Sequence, residues 1–386
     1  MPANIVQPRQ ISLGAGASQE LVGVLRQLGL ERPFIVTDRF MVEFGYLDRI
    51  TDSLKKADIS YATFADTVPD PTSESVQRGL AELKKRQHDS VVALGGGSPI
   101  DSAKAIAYLA VHGGQMRDYK VPVSNNEPGL PLIAIPTTAG TGAEVTRFTV
   151  ITDEASDEKM LCAGAAFCPT VALVDYELTL SKPARLTADT GLDSLTHAIE
   201  AYVSAKHNPY SDGMARLAMG ALAKHLRSVC REPGNRAARE AVMLAATQAG
   251  LAFSNASVCL VHGMSRPIGA FFHVPHGLSN AMLLPAVTAF SIGAAPARYA
   301  DCARFMGVAT EQDSDQIANE KLLQELRQLN ADLQVPTPKS YGIDQKRYFE
   351  LLPIMAEQAL ASGSPGNNPR VPTVQEMIAL YEEIWE

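Results

Sequence analysis

Three short apolar runs stand in the first half of the chain: RPFIVTD (32–38), SVVALGGG (90–97) and LPLIAIPTT (130–138). Each is rich in Val, Ile or Leu and ends in Gly, Pro, Asp or Thr, the pattern of strands buried on both faces. ESVQRGLAELKKRQ (74–87) lies between the first two, and IDSAKAIAYLAV (100–111) follows the second. Both place apolar residues at helical spacing. Strand, helix and strand in this rhythm predict βαβ units and a mostly parallel sheet. The pattern changes near LSKPARLTADT (180–190). GLDSLTHAIEAYV (191–203), GMARLAMGALAKHLRSV (213–229) and RAAREAVMLAATQAGLAF (236–253) are Ala- and Leu-rich with helical periodicity, and no strand is expected beyond about residue 184. The spacing therefore predicts an α/β domain over 1–183 and an all-helical domain over 184–386. ASGSPGNNPRVPT (361–373) reads as a loop before a closing helix.

Composition narrows the class. A chain of 386 residues exceeds one ordinary core, in keeping with two domains. Hydrophobic residues make up 46% and charged residues 20%, a globular balance. The net charge of −8, with no basic run, argues against nucleic acid and anionic membranes as partners. No apolar run approaches the ~18 residues of a spanning helix. The opening MPANIVQPRQISLGAG lacks a charged-then-apolar signal, so a cytoplasmic location is expected. Cys162, Cys168, Cys230, Cys259 and Cys302 are odd in number and form no C-x-x-C, which suits free thiols in a reducing compartment.

Two loops offer cofactor chemistry. In LGGGSPIDSAK (94–104), Gly95, Gly96 and Gly97 allow a tight turn and close backbone approach. Ser98 is expected as helix N-cap, Pro99 as first helical residue and Asp101 as the acidic partner of a capping box. Free N–H groups at such a helix start suit a pyrophosphate, although a tight turn alone explains the same residues. IPTTAGTGAEVT (135–146) adds the hydroxyls of Thr137, Thr138, Thr141 and Thr146. Loops at the carboxyl ends of parallel strands are where open α/β sheets bind ligands. Asp38 closes the first run. It is either a ribose-binding carboxylate that favours NAD over NADP, or a turn aspartate.

The helical half carries candidate metal ligands. Asp193 and His197 lie four residues apart and share one helix face. LVHGMSRPIGAFFHVPHGLSN (260–280) holds His262, His273 and His276, three of the eight histidines. Taken alone, the Asp–His pair reads as structural. Together, Asp193, His197, His262 and His276 offer one carboxylate and three imidazoles, a set for Fe(II) or Zn(II) rather than for Mg(II) or Ca(II).

GGGSPID, IPTTAGTGAEVT, GLDSLTHAIEAYVS and VHGM…PIGAFFHVPHG occur in that order, and on them the chain resembles the group III, iron-dependent alcohol dehydrogenases over essentially its whole length. The resemblance implies a dinucleotide-binding α/β domain followed by a helical metal domain, the dehydroquinate synthase-like arrangement. It implies NAD-dependent, metal-assisted hydride transfer between a small primary alcohol and its aldehyde, and a homodimer. By the same resemblance Asp193, His197, His262 and His276 are the metal ligands, with Fe(II) expected and Zn(II) the alternative. Gly96, Gly97 and Ser98 would contact the pyrophosphate, with Thr137, Thr138 and Thr141 lining the cofactor. Asp38 would take the adenosine ribose, and Lys159 the nicotinamide ribose. Phe253 matches a position that narrows the substrate channel. His273 is no ligand position and either stands beside the site or is packed. The family usually has a second histidine four residues after the first ligand of VHGM; here that position is Arg266.

A guanidinium there either pairs with a protein carboxylate or snorkels to solvent, or it grips an anionic substrate. The last option gives an alternative function, reduction of a carboxylated aldehyde or its reverse from a hydroxy acid. Maleylacetate-reductase-like and glycerol-dehydrogenase-like activities are further alternatives, and an idle NAD-binding or metal-sensing protein is the alternative outside enzymes.

Overall fold

The computed structural model describes residues 2–156 and 158–386. The chain forms two compact units, Ile5–Ser181 and Lys182–Glu386, with residues 2–4 grouped with the second; the division at Ser181 and Lys182 lies slightly before the boundary at 183 expected from periodicity. Ser181 stays with the first unit, where its hydroxyl bonds the Tyr46 phenol. The Lys182 carbonyl accepts from Arg239 of the second unit at 3.5 Å.

The first unit holds strands β1 (Gln10–Leu13), β2 (Pro33–Val36), β3 (Ala62–Phe64), β4 (Ser90–Gly95), β5 (Leu132–Pro136), β6 (Phe148–Asp153), β7 (Glu158–Ala163) and β8 (Val171–Val174). Its helices are α1 (Leu21–Leu28), α2 (Arg39–Glu43), α3 (Tyr46–Lys56), α4 (Ser73–Lys84) and α5 (Gly97–His112). Six strands form one parallel sheet in the order β1-β8-β5-β4-β2-β3. Successive residues alternate between its two faces. Phe34, Val36, Val91 and Ala93 pack with Val76, Leu80 and Ile106 of α4 and α5. Ile35, Val92, Leu94 and Ile133 pack with Leu21, Leu25, Ile50 and Leu54 of α1 and α3. Both faces are covered, which is why the strands read as continuous apolar runs.

The three runs and two helices read from the sequence are all present. β1, β3 and β8 were not anticipated: β1 and β3 are edge strands with half-exposed side chains and no continuous apolar run, whereas β8, VALV, is as short and as buried as β2 and was passed over. The antiparallel hairpin β6–β7 was also missed. It is fastened to α5 by buried polar groups. Lys104 Nζ donates to the Thr146 carbonyl and hydroxyl, both at 3.0 Å, and to the Phe148 carbonyl at 2.7 Å. Asp101 Oδ2 accepts from the Val150 N–H at 3.1 Å.

One local expectation is corrected. The N-cap of α5 is Gly96, not Ser98; Ser98 lies inside the helix, and Asp101 is not part of a capping box. Gly95 adopts φ 149°, which lets the chain turn into the helix early. Asp101 is then one turn in and faces the hairpin.

The second unit is helical among the described residues: α6 (Ala184–Val203), α7 (Pro209–Arg231), α8 (Arg236–Asn255), α9 (Leu260–Phe272), α10 (His276–Ile292), α11 (Pro296–Phe305), α12 (Asp315–Asp332), α13 (Pro338–Tyr341), α14 (Gln345–Ala361) and α15 (Val374–Glu383). α6 lies at its centre and is buried on nearly every side, packed by α7, α8 and α10. A helix in that position is apolar all round, apart from polar groups that have partners. Among the described residues no single helix is long and apolar enough to cross a membrane; α8 and α9 reach that length only together, bent by 105°, and both are core helices of this unit.

The α5–hairpin junction generates a pH prediction. Burial pushes the Asp101 carboxyl up to about 6, despite Lys104 and the Val150 N–H favouring its charged form. A carboxyl raised above its unfolded value binds more protons folded than unfolded, so its stabilising contribution falls as pH climbs from about 4 through about 6. In melting curves from pH 4 to pH 7, wild type should lose several degrees relative to Asp101→Asn. Parallel curves would place the titration elsewhere.

Candidate active site

α6 supplies Asp193 and His197 one turn apart, 2% and 4% exposed. α9 supplies His262 in its first turn, 3% exposed, and α10 begins with His276. Asp193, His262 and His276 each bring one donor atom into a group whose members lie within 4.8 Å of one another. Asp193 Oδ1 is 3.4 Å from His262 Nε2, 3.7 Å from His276 Nε2 and 3.8 Å from His197 Nε2. His197 therefore approaches the group through Asp193. Its ring lies between those of Phe253 and His262, stacked at centroid distances of 4.2 and 4.5 Å. The His276 side chain is 48% exposed, so the cluster is buried on one side and open on the other.

The close approach of α10 to α6 depends on Gly277. A Cβ there would lie 2.3 Å from the Asp189 carbonyl oxygen and 3.3 Å from Asp193 Cβ. Only hydrogen fits, and His276 is the adjacent residue.

The electrostatics suit a cation. Burial alone would raise the Asp193 carboxyl, but His197, His276 and His262 outweigh it and hold the group far below the usual range. Burial pulls His262 down, while Glu200 and Asp193 together push it up to about 9. The donor set of one buried carboxylate with two buried imidazoles and one half-exposed imidazole fits Fe(II) or Zn(II).

Two side chains absent from the sequence reading belong to this cluster. Glu200, 3% exposed, accepts from the N–H groups of Cys259 at 2.9 Å and Val261 at 2.6 Å, and lies 2.6 Å from His262 Nδ1. Asn280 Nδ2 donates to Asp193 Oδ1 at 2.7 Å and lies 3.1 and 3.3 Å from the Nε2 atoms of His262 and His276. The buried Asn280 Oδ1 has no partner among the described residues. Helical spacing carries a signal for both. Glu200 is seven residues beyond Asp193, and Asn280 four beyond His276, so each shares the helix face of a candidate ligand.

The remaining candidates of this unit stand apart. His273 ends α9 at φ 55° and is exposed; its N–H bonds the Gly269 carbonyl at 3.0 Å. Arg266 is half-buried one turn beyond His262 and makes no hydrogen bond or ion pair among the described residues. Burial lowers its guanidinium pKa, with Glu200 acting in the opposite direction. The expected protein carboxylate partner is thus not found.

In the first unit, β5, β4 and β2 are neighbours, so their carboxyl ends adjoin. The chain runs from β2 out to β3 and then returns to β4 on the other side of β2. That reversal between β2 and β4 is a topological switch point. Gly95, Gly96, Gly97 and Ser98 follow β4, Thr137, Thr138 and Thr141 follow β5, and Asp38 follows β2. A Cβ on Gly96 would meet Thr138 Oγ1 at 3.3 Å, and one on Gly97 would meet Thr141 Cγ2 at 3.0 Å, so the two loops touch. No side chain caps the start of α5. Thr137 Oγ1 is buried without a partner among the described residues. These features fit an anionic ligand held by backbone N–H groups. Asp38 Oδ1 caps α2 through the Met41 N–H at 2.9 Å. Lys159 pairs with Asp70 at 2.9 Å. Thr146 and Asp101 point into the α5–hairpin junction rather than to these loops.

Residues 8–176 match the family model described as iron-containing alcohol dehydrogenase, and residues 187–385 that of the C-terminal part of the same family. The NAD-dependent methanol dehydrogenase of Bacillus methanolicus is 36% identical over 98% of this chain and 99% of its own length. The NADPH-dependent butanol dehydrogenase of Clostridium saccharobutylicum is 35% identical over 98% and 97%. A solved 1,3-propanediol oxidoreductase superposes with a TM-score of 0.96 at 34% identity, covering 100% of both chains.

The glycine contact makes a prediction. Gly277→Ala overpacks the α6–α10 contact, at a cost of about 1–3 kcal/mol. Its melting temperature should fall, and its affinity for Zn(II) should fall as well, because His276 moves with the helix. Chelator competition would read the second effect; unchanged affinity would mean the helix yields elsewhere.

Proposed function

The chain belongs to the iron-containing alcohol dehydrogenases, oxidoreductases that interconvert alcohols and aldehydes, and from that premise we propose that Asp193, His197, His262 and His276 hold a divalent metal for NAD-dependent turnover of a small primary alcohol. The observation that carries this reading is the convergence of Asp193, His262 and His276 within 4.8 Å on three helices. Fe(II) is the proposed ion and Zn(II) the alternative, since the same donors serve both.

When bound, the metal supplies Lewis acidity to the substrate oxygen, and NAD supplies the hydride acceptor. The protein's part is position and field. Asp193 contributes the negative charge of the ligand set, and the stacked Phe253, His197 and His262 rings hold two imidazoles in place. Phe253 is also the proposed wall of the substrate channel. Gly96, Gly97 and Ser98 present backbone N–H groups to the pyrophosphate at the start of α5. Thr137, Thr138 and Thr141 line the cofactor, and Asp38 takes the ribose with whatever capacity its capping bond leaves. Lys159 reaches the nicotinamide ribose only by leaving Asp70. Arg266 and His273 are proposed to flank the substrate. An acidic chain with five free thiols suits a reducing, cytoplasmic compartment, and a homodimer is proposed with it.

The alternative of a carboxylated substrate is not favoured by the relatives, which act on methanol, butanol, lactaldehyde and 1,3-propanediol. NAD is the proposed partner, although one relative is NADPH-dependent.

His262→Ala and His276→Ala should each abolish metal retention and alcohol oxidation, read by metal analysis and NADH absorbance. A His276→Ala protein with full metal and full rate would refute the ligand assignment. For the cofactor, kcat/KM with NAD should exceed that with NADP, and Asp38→Gly should narrow the gap by removing repulsion of the 2′-phosphate. Glycine is a tolerable N-cap, costing only a few tenths of a kcal/mol, so α2 should survive the change. A wild type that prefers NADP would defeat this assignment.

A further inference from the structure

We propose that Glu200 is the positioning residue of His262, setting its ring orientation, its tautomer and the seating of α9, and thereby the metal affinity of the cluster. The proposal rests on the reading of His262 as a ligand. Glu200 lies on α6, three residues after His197 and seven after Asp193, so it shares their helix face. One helix thus carries two proposed ligands together with the brace of a third.

The brace is a carboxylate that is 3% exposed and receives three donors. Oε1 accepts from the Val261 N–H at 2.6 Å. Oε2 accepts from the Cys259 N–H at 2.9 Å and lies 2.6 Å from His262 Nδ1. Cys259 and Val261 are the N-cap and an early residue of α9, whose first N–H groups have no partner within the helix. A negative charge there also complements the helix dipole. Glu200 therefore locks the start of α9 to α6.

The same carboxylate decides which ring nitrogen of His262 faces the cluster. An ionised carboxylate only accepts, so Nδ1 must carry a proton. In the neutral ring the lone pair is then on Nε2, the atom 3.4 Å from Asp193 Oδ1. A carboxylate on the far nitrogen fixes the tautomer and makes the near one a stronger ligand, an arrangement whose loss costs roughly 10–100-fold in metal affinity.

Glu200→Gln separates this role from simple packing. Its shape is nearly unchanged, but one oxygen becomes an NH2 donor. In one orientation the amide faces the Val261 N–H. In the other it faces Cys259 and His262 Nδ1, forcing the ring to accept there and to carry its proton on Nε2.

The experiment measures Zn(II) dissociation constants by chelator competition on metal-stripped, full-length wild type, Glu200→Gln, His262→Ala and the double variant. Glu200→Gln should bind Zn(II) about 10–100-fold more weakly. His262→Ala loses its metal on purification but keeps three proposed donors, so its weaker Zn(II) binding is read at raised Zn(II) concentration, and in that background the same change should have little further effect. Binding of Glu200→Gln within twofold of wild type would overturn the proposal, as would an equal loss in both backgrounds. If His262→Ala itself bound Zn(II) like wild type, the ligand reading would fail instead. Should Glu200→Gln not fold, Glu200→Asp retains the charge while withdrawing it by one methylene, and the same comparison applies.

Discussion

An ionised carboxylate in the middle of a helical core must be surrounded by compensating groups, because charge taken out of water costs several kcal/mol unless it is paired. Asp193 is that carboxylate, 2% exposed on the most buried helix of its unit. Its surroundings answer the requirement: three imidazoles from three helices, and the Asn280 amide at 2.7 Å. The helix starts that carry His262 and His276 must both reach it. Gly277 permits one approach, and the Glu200 carboxylate anchors the other. The packing of α6, α9 and α10 and the chemistry of the cluster answer the same demand.

Under the proposed function the first unit meets a different demand, an anionic ligand held without a strong cationic site. Gly95 at φ 149° starts α5 without a side-chain cap, leaving backbone N–H groups for the ligand. A Cβ at either of the next two positions would press on Thr138 or Thr141 at 3.3 and 3.0 Å, so those side chains would have to give way by a few tenths of an ångström. The cations nearby have other work. Lys104 is fully enclosed and binds the hairpin to α5, and Lys159 is paired with Asp70. Backbone dipoles are left to carry the recognition, consistent with a pyrophosphate at a helix start.

The parts legible in the sequence were those with a period or a motif. The central strands read as apolar runs because both faces of the sheet are covered, and the long helices repeat at 3.6 residues. β1 and β3, at the sheet edges, are half-exposed and show no apolar run, while β8 has the same buried four-residue pattern as β2 and was overlooked. Ser98 was assigned as N-cap because residue preference cannot see that three glycines let the helix begin earlier. The four proposed ligands were legible from spacing and family resemblance. Glu200 and Asn280 were not, although both sit at helical spacing from a ligand. An acid in HAIEAY reads as a surface residue until the helix is known to be buried on every side. Arg266 was expected to pair with a carboxylate, to reach solvent or to grip a substrate anion, and its sequence neighbours gave no hint that it makes no ion pair among the described residues.

That unpaired arginine bears on the charge balance of the proposed site. Asp193 and Glu200 contribute two negative charges, and Arg266, one helical turn beyond His262, contributes one positive charge. The imidazoles are neutral when they bind metal. A divalent ion therefore brings the assembly to a net positive charge, whereas without Arg266 the sum would be neutral. An excess of positive charge beside a substrate oxygen favours its anionic form, which alcohol oxidation must approach. The same excess opposes retention of the ion itself. Glu200 offsets that cost, because its negative charge acts through His262 while it also seats α9. Replacement of the usual family histidine by arginine is thus tolerable where a buried carboxylate already stands behind the neighbouring proposed ligand, His262.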